Sequence, residues 1–386
     1  MTSPVYLDNA ATTPLDARVL EAMLPHLGAA RGNPSSLHAA GARARAAIEE
    51  ARESVAALVG ASPGEILFTS GGTESDNLAV LGLARAAGKG HAVISRVEHA
   101  AVREAAARLV AEGFELTWVG VSPEGLVDPG EFAGALRPET AFAAVVWANN
   151  EVGTVQPVAE ISRLCAERGV PLHADAVQAA GRVVLDVNDA PVATLALSGH
   201  KIYGPHGVGA LYVREGTRIE PGLFGGGQER GLRSGTENVA GIVGLGEAAR
   251  LAREELAGRA RHEAALRDHI LEGVLEIPGV RLVGHPEKRL PNNAHLTVEG
   301  VEAEGLVLLL DALGYSVGSG SACASGSAGH KASAVLLAMG VDEREALSAI
   351  RVTVGKENTV EEVDGFIEAF ATAVSRLREV SPLYTR

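Results

Sequence analysis

The stretch Val192-Ala193-Thr194-Leu195-Ala196-Leu197-Ser198-Gly199-His200-Lys201-Ile202-Tyr203-Gly204-Pro205 reads as an apolar strand that delivers a lysine to a Gly/Pro turn. An ordinary lysine titrates near about 10.4 and lies on the surface, so one fixed between a strand end and a tight turn has a local reason to be there. Upstream, His173-Ala174-Asp175-Ala176-Val177-Gln178 ends a second predicted strand with an acid. Taken alone, Lys201 is most simply a surface lysine in a β-turn. Taken with Asp175, it is a candidate Schiff-base former placed at the same sheet edge as a carboxylate.

Working outward from that run, β-like apolar segments alternate with Ala-rich amphipathic ones between about residues 14 and 255. Strands are predicted at Glu65–Thr69, Ala92–Ser95, Glu115–Val119, Phe142–Trp147, Pro171–His173 and Thr194–Leu197, with helices at Gly41–Val59, Asp76–Ala87, Ala101–Ala111 and Val158–Arg168. That alternation predicts an α/β fold, a mostly parallel sheet covered by helices on both faces. Val208–Val213, directly after a Gly/Pro turn, is expected to add an antiparallel edge strand. A long helical pattern over Val239–Leu275 leads into a different texture, with short strands at Ala294–Val298 and Ile350–Val354 and helices at Ala303–Leu313 and Val360–Leu377. The expected division is a large domain over 14–257 and a smaller α+β domain made of 1–13 and 258–386.

The 386 residues are 46% hydrophobic and 21% charged, which excludes a disordered or fibrous chain. A formal charge of −14 disfavours nucleic acid and anionic membrane surfaces as direct partners. The N-terminus has neither a basic nor an apolar leader region and no apolar run approaches a bilayer span, so a cytoplasmic protein is expected. The two cysteines, Cys165 and Cys323, are too few for a disulfide framework, and no metal site is expected. Cys165 falls at helical spacing with Ile161 and Leu164 and reads as a buried helix residue.

Thr69-Ser70-Gly71-Gly72-Thr73-Glu74-Ser75-Asp76-Asn77 follows a strand and opens a helix, where backbone N–H groups and the helix dipole suit a phosphate. Thr73 and Ser75 would equally serve as capping residues. Val97-Glu98-His99 places an imidazole after the next strand, and Asn150 closes another. In an open α/β sheet, ligands bind where strands end, so the convergence of these groups with Asp175 and Lys201 points to one site. A lysine, a buried acid and a phosphate cradle are what pyridoxal 5'-phosphate (PLP) requires of a protein.

Leu7-Asp8-Asn9-Ala10-Ala11-Thr12-Thr13-Pro14, Gly32-Asn33-Pro34, the Gly72 run, Glu98-His99, Ala148-Asn149-Asn150-Glu151-Val152-Gly153, the Asp175 run, the Lys201 run, Gly225 to Thr236, and Gly318 to Ser325 follow one another in a familiar order. Over about residues 6 to 382 the chain resembles the cysteine desulfurases, in particular the group whose reactive cysteine lies on a long loop. The resemblance implies a fold-type I PLP-dependent transferase. It implies that Lys201 holds PLP, Asp175 pairs with the ring nitrogen, His99 stacks on the ring, Gln178 bonds the phenolic oxygen and Asn150 lies against the ring. Gly72, Thr73, Ser198 and His200 would hold the phosphate. Thr236 would reach the phosphate of a neighbouring subunit, so a homodimer is implied. Arg351, with Asn33, would bind the substrate carboxylate.

Cys323 is embedded in Gly, Ser and Ala from about residue 318 to 333. Such a segment buries little and is expected to be mobile, with a reach of about 15 Å over roughly eight residues. The implied chemistry turns L-cysteine into L-alanine, with Cys323 attacking the substrate sulfur, becoming a persulfide and passing sulfur to an acceptor protein such as an iron–sulfur scaffold. Three departures from the family stand out. Ser327 to Ser333 replaces a common Leu-Glu-Pro-Ser run, Val97 replaces a Thr, and the sequence ends at Arg386 where relatives often carry a longer scaffold-contacting tail. Scaffold docking is therefore expected to be weaker or differently built. Another PLP enzyme of this fold, such as a selenocysteine lyase, is the nearest rival reading, and a non-catalytic sulfur-relay subunit is a rival of another class.

Overall fold

The computed structural model describes residues 4–28, 32–88, 90–319 and 332–381. Cys323 and most of the Gly/Ser-rich segment lie outside the described residues. In chain order the strands are β1 (Val5–Tyr6), β2 (Ile66–Thr69), β3 (His91–Ser95), β4 (Glu115–Val119), β5 (Thr140–Val146), β6 (Leu172–Asp175), β7 (Thr194–Ser198), β8 (Gly209–Val213), β9 (Val280–Leu282), β10 (Asn293–Val298), β11 (Tyr315–Ser316), β12 (Gly318–Ser319) and β13 (Ala349–Thr353). Helices α1 (Ala17–Leu27), α2 (Ala39–Val59), α3 (Gly72–Ala87), α4 (Ala100–Ala111), α5 (Pro129–Gly134), α6 (Val158–Glu167) and α7 (Val239–Val274) are followed by Ala303–Ala312, Ala334–Ala338, Glu343–Ala346 and Val360–Val380.

Every residue of β3, β5, β6 and β7 is buried, as a strand covered on both faces requires. With side chains alternating between faces, Val93, Ala143 and Val145 pack into one core with residues of α2, α6 and α7. Ile94, Phe142 and Ala144 pack into another with Leu83, Val102 and Leu109 of α3 and α4. The strands run β2-β8-β7-β6-β5-β3-β4, parallel from β7 through to β4. β8 is antiparallel to β7, as expected, but it is not an edge. It pairs on its other side with β2, Thr69 opposite Gly209 and Ile66 opposite Tyr212, so the segment read as an edge is interior and fully buried. β2 satisfies the row of backbone groups that an edge would leave open. A Cβ at Gly209 would lie 2.7 Å from the Gly71 Cα, so glycine is what lets β8 pass beneath the turn into α3.

A second sheet, ordered β12-β13-β10-β9, packs with Ala303–Ala312 and Val360–Val380 around Leu296, Ile350, Phe366 and Phe370. The 36-residue helix α7 serves both cores: Ile242, Leu245 and Ala249 pack in the first, and Leu266, Ile270 and Val274 in the second. Leu7 also belongs to the second core, and the chain from Asp8 to Thr13 then crosses to the turn after β7. Among the described residues no helix is long and apolar enough to cross a membrane.

Candidate active site

The carboxyl ends of β2, β3, β5, β6 and β7 open into one cavity of about 290 Å³. Gly72, Thr73, His99, Asn150, Asp175, Gln178, Ser198, His200, Lys201 and Arg351 all line it. Lys201 ends the 3₁₀ turn Gly199–Lys201 that follows β7, and its Nζ donates to the carbonyl oxygens of Ala10 (2.6 Å) and Ala11 (2.7 Å). Gln178 Nε2 donates to the same Ala10 carbonyl, which leaves its buried Oε1 without a donor among the described residues. His99 precedes α4, its Nδ1 accepting from Ala101 N at 3.2 Å, so the ring is fixed at a helix start.

α3 begins at the cavity with Gly71 as its first flanking residue and no side-chain cap. Ser75 instead exchanges a hydrogen bond with Thr69 Oγ1 and donates to Ala210 O, so the capping role open to it in sequence is not the one it takes. A Cβ at Gly72 would meet Val177 Cγ2 at 2.8 Å. The opening N–H groups of a 16-residue helix thus face the cavity beside Ser198 and Lys201.

Asp175 is buried, and burial pushes its carboxyl above the usual range, opposed by His99, by the Val177 N–H it accepts at 2.9 Å and by Lys201. Burial pushes Glu98 up to about 8 although its Oε1 accepts from the Ser95 hydroxyl and from Val146 N. His200 is pushed down to about 4 by burial and by the neighbouring Lys201, and its Nδ1 meets Thr12 Oγ1 at 3.1 Å. Arg351 arrives from β13: Nη2 donates to Asp8 Oδ1 (2.9 Å), Nη1 to Asn150 O (3.0 Å), and Nε has no partner among the described residues.

Two predicted residues do not join this cavity. Asn33 and Thr236 are exposed, Asn33 Oδ1 accepting from Ser35 N, and neither lines it. Sequence reasoning also missed contributors. The carbonyls of Ala10 and Ala11 carry no side-chain signature, and Asp8 and Asp76 stood inside motifs quoted for other residues.

Residues 5–366 match the Aminotransferase class-V family. Over 382 residues the chain is 46% identical to cysteine desulfurase IscS of Methanosarcina thermophila, covering 98% of this chain and 94% of that one. This chain belongs to the cysteine desulfurases. It is also 45% identical to cysteine desulfurase IscS 1 of Archaeoglobus fulgidus over 99% of this chain and all of the relative. A solved NifS-like protein superposes with a TM-score of 0.91 at 38% identity, covering 97% of this chain and 100% of that chain. The fold is that of fold-type I PLP enzymes, and cysteine desulfurases of class V depend on PLP.

The cavity suits that group. It offers one amine donating to two main-chain carbonyls, a buried acid on the floor, a helix start with no side-chain cap, and an amide oxygen on Gln178 that has no donor among the described residues. A purely structural pocket would leave neither the helix start nor the Gln178 oxygen unsatisfied.

Proposed function

We propose that this cysteine desulfurase converts L-cysteine to L-alanine in the cavity around Lys201, with Cys323 receiving the sulfur as a persulfide for an acceptor protein. The observation that carries the reading is the meeting of Lys201, Asp175, His99 and Gln178 around one cavity at the strand ends. PLP would be held by Lys201, with Asp175 at its ring nitrogen, His99 on its face, Gln178 and Asn150 beside it, and Gly72, Thr73, Ser198 and His200 at its phosphate. Bound there, PLP supplies an electron sink that makes the α-carbon of an amino acid acidic.

The remaining work falls to this chain. Arg351 binds the substrate carboxylate with its unused Nε and by exchanging Asp8 for the ligand. The Lys201 amine, oriented by two carbonyl acceptors, takes the α-proton. The Cys323 thiolate attacks the substrate sulfur; an S–S bond forms, the Cβ–S bond breaks, and its electron pair is left on the carbon skeleton, which is protonated to alanine. An unperturbed thiol is only a few per cent ionised at neutral pH, so a base on the cavity wall, with His99 the candidate, assists.

Two wider parts of the reading go with it. The residues 14–257 form a large domain and 1–13 with 258–386 a small one, a division supported by the two cores that α7 joins. Thr236, exposed and outside its own chain's cavity, serves the site of a second copy in a homodimer, and Asn33, also outside the cavity, keeps only the substrate-binding role that the family resemblance implies. The acceptor protein is an iron–sulfur scaffold or a thiolation partner in the cytoplasm.

The test is the mass of cysteine-containing peptides after one turnover with L-cysteine. An added sulfur atom is expected on the Cys323 peptide, and Cys323→Ser should bind L-cysteine yet form no persulfide. Cys165 should stay unmodified, since it is buried in α6 and burial pushes its thiol up to about 12. Full persulfide on Cys165, or full turnover by Cys323→Ser, sinks the assignment.

A further inference from the structure

Asp76 and His173 have no part in the chemistry above, yet Asp76 lines the cavity and His173 is its hydrogen-bond partner. Asp76, in the first turns of α3, is 1% exposed and lines the cavity. Among the described residues its hydrogen bond is to His173 Nε2, 3.2 Å away, and His173 is wholly buried on β6 with Nδ1 2.9 Å from Thr194 Oγ1. Thr194 is the residue opposite His173 on β7, so the ring is held across the sheet. One carboxylate oxygen each of Asp76 and Asp175 and a ring nitrogen of His99 lie within 4.8 Å of one another.

Two carboxyl groups this close and this buried oppose each other's ionisation. Their surroundings sort them. Asp175 accepts the Val177 N–H and feels the charges of His99 and Lys201, all of which favour its anion. Among the described residues Asp76 accepts no backbone N–H, and burial, with Asp175 beside it, pushes its carboxyl well above the usual range. His173 offers it no cation, because burial pushes that imidazole down to about 3. The titratable and charged groups around Asp76 are thus His173, its hydrogen-bond partner, and Asp175 from β6, Glu98 and His99 after β3, and, across the cavity it lines, Lys201 after β7 and Arg351 from β13.

We propose that Asp76 is a positioning residue for Asp175: it carries a proton, donates it in a hydrogen bond to His173 Nε2, and leaves Asp175 as the single anion of the Asp76–Asp175 pair. The imidazole then has its proton on Nδ1, which donates to Thr194 Oγ1. The role assigned to Asp76 rests on the reading that Asp175 faces the PLP ring nitrogen, while its proton is a property of this chain alone.

The experiment is nitrogen NMR of the PLP-loaded protein labelled at histidine, with His173 assigned by the signal lost in His173→Gln. His173 is expected to be neutral, protonated at Nδ1 and bare at Nε2, between about pH 6 and 8. Protonation at Nε2 overturns the proposal, because Asp76 would then be the acceptor and an anion. Infrared difference spectra of wild type and Asp76→Asn give an independent readout should the histidine variant not fold. Loss of a protonated-carboxyl C=O stretch supports the proposal, and loss of a carboxylate band overturns it. The visible band of the bound cofactor should keep its pH midpoint in Asp76→Asn, where an amide replaces a neutral acid; a fall of about a unit or more, from a lost anion, overturns it. If instead Asp175→Asn leaves that midpoint in place, the reading of Asp175 fails while the Asp76 proton stands or falls by the nitrogen spectrum.

Discussion

The cavity floor at the ends of the seven-stranded sheet and the side wall that Arg351 brings from the four-stranded sheet hold their charged groups by different means. On the floor, Lys201 is tied to two main-chain carbonyls and Asp175 to a main-chain N–H, with β6 and β7 paired alongside. On the wall, Arg351 is held by the Asn150 carbonyl through Nη1, is paired through Nη2 with another side chain, Asp8, and has no partner for Nε among the described residues. A side chain fixed to the main chain of a buried strand end is pre-organised, whereas an ion pair of two side chains can be exchanged for another carboxylate. The floor is thus suited to a resident group and the wall to a ligand that comes and goes.

Breaking the floor should have the largest effect. Asp175→Asn keeps the shape and removes the anion, and is expected to lower kcat by roughly 10² to 10³, the range for losing one pre-organised electrostatic partner. Steady-state kinetics beside the visible spectrum check this, and a fall of only a few-fold would put the ring nitrogen's partner elsewhere. On the wall, Arg351→Lys loses the two-donor fork and should raise KM for L-cysteine by about 10- to 100-fold, with a much smaller effect on kcat. Asp8→Asn sharpens the contrast: if Asp8 competes with the substrate for Arg351, KM falls by roughly two- to five-fold. A rise in KM would mean that Asp8 holds Arg351 in place instead.

A smaller effect concerns stability. Glu98 is raised in the folded protein to about 8 from an ordinary value near about 4.5, so the folded state keeps a proton that the unfolded chain releases. Its contribution is complete below about pH 4.5 and is lost as pH rises through about 8. Glu98→Gln should therefore flatten the decline in Tm across that window, each unit of the raised value being worth about 1.4 kcal/mol. Thermal melts at several pH values read it, and an unchanged slope would mean the buried acid is already paired.

Much of the floor was legible because a lysine, an acid and an imidazole each follow a short apolar run that alternates with helical patterns and so reads as a buried strand. Lys201, Asp175 and His99 meet where that reading puts them. The interior place of β8 was not legible, since an antiparallel strand after a tight turn has the same sequence whether or not β2 flanks it. The Ala10 and Ala11 carbonyls were hidden because any residue type carries a carbonyl. The pairing of Asp8 with Arg351 joins residues 343 apart in sequence, and no local period reports it. Asp76 was masked by its motif, where the glycines before it drew the reading toward phosphate.

The most direct test is to reduce the PLP-loaded protein with borohydride, digest it and locate the phosphopyridoxyl mass. The modification is expected on the Lys201 peptide, and Lys201→Ala should lose both the adduct and the visible band. An adduct on Lys89, Lys288, Lys331 or Lys356, the other lysines of the chain, would contradict the account.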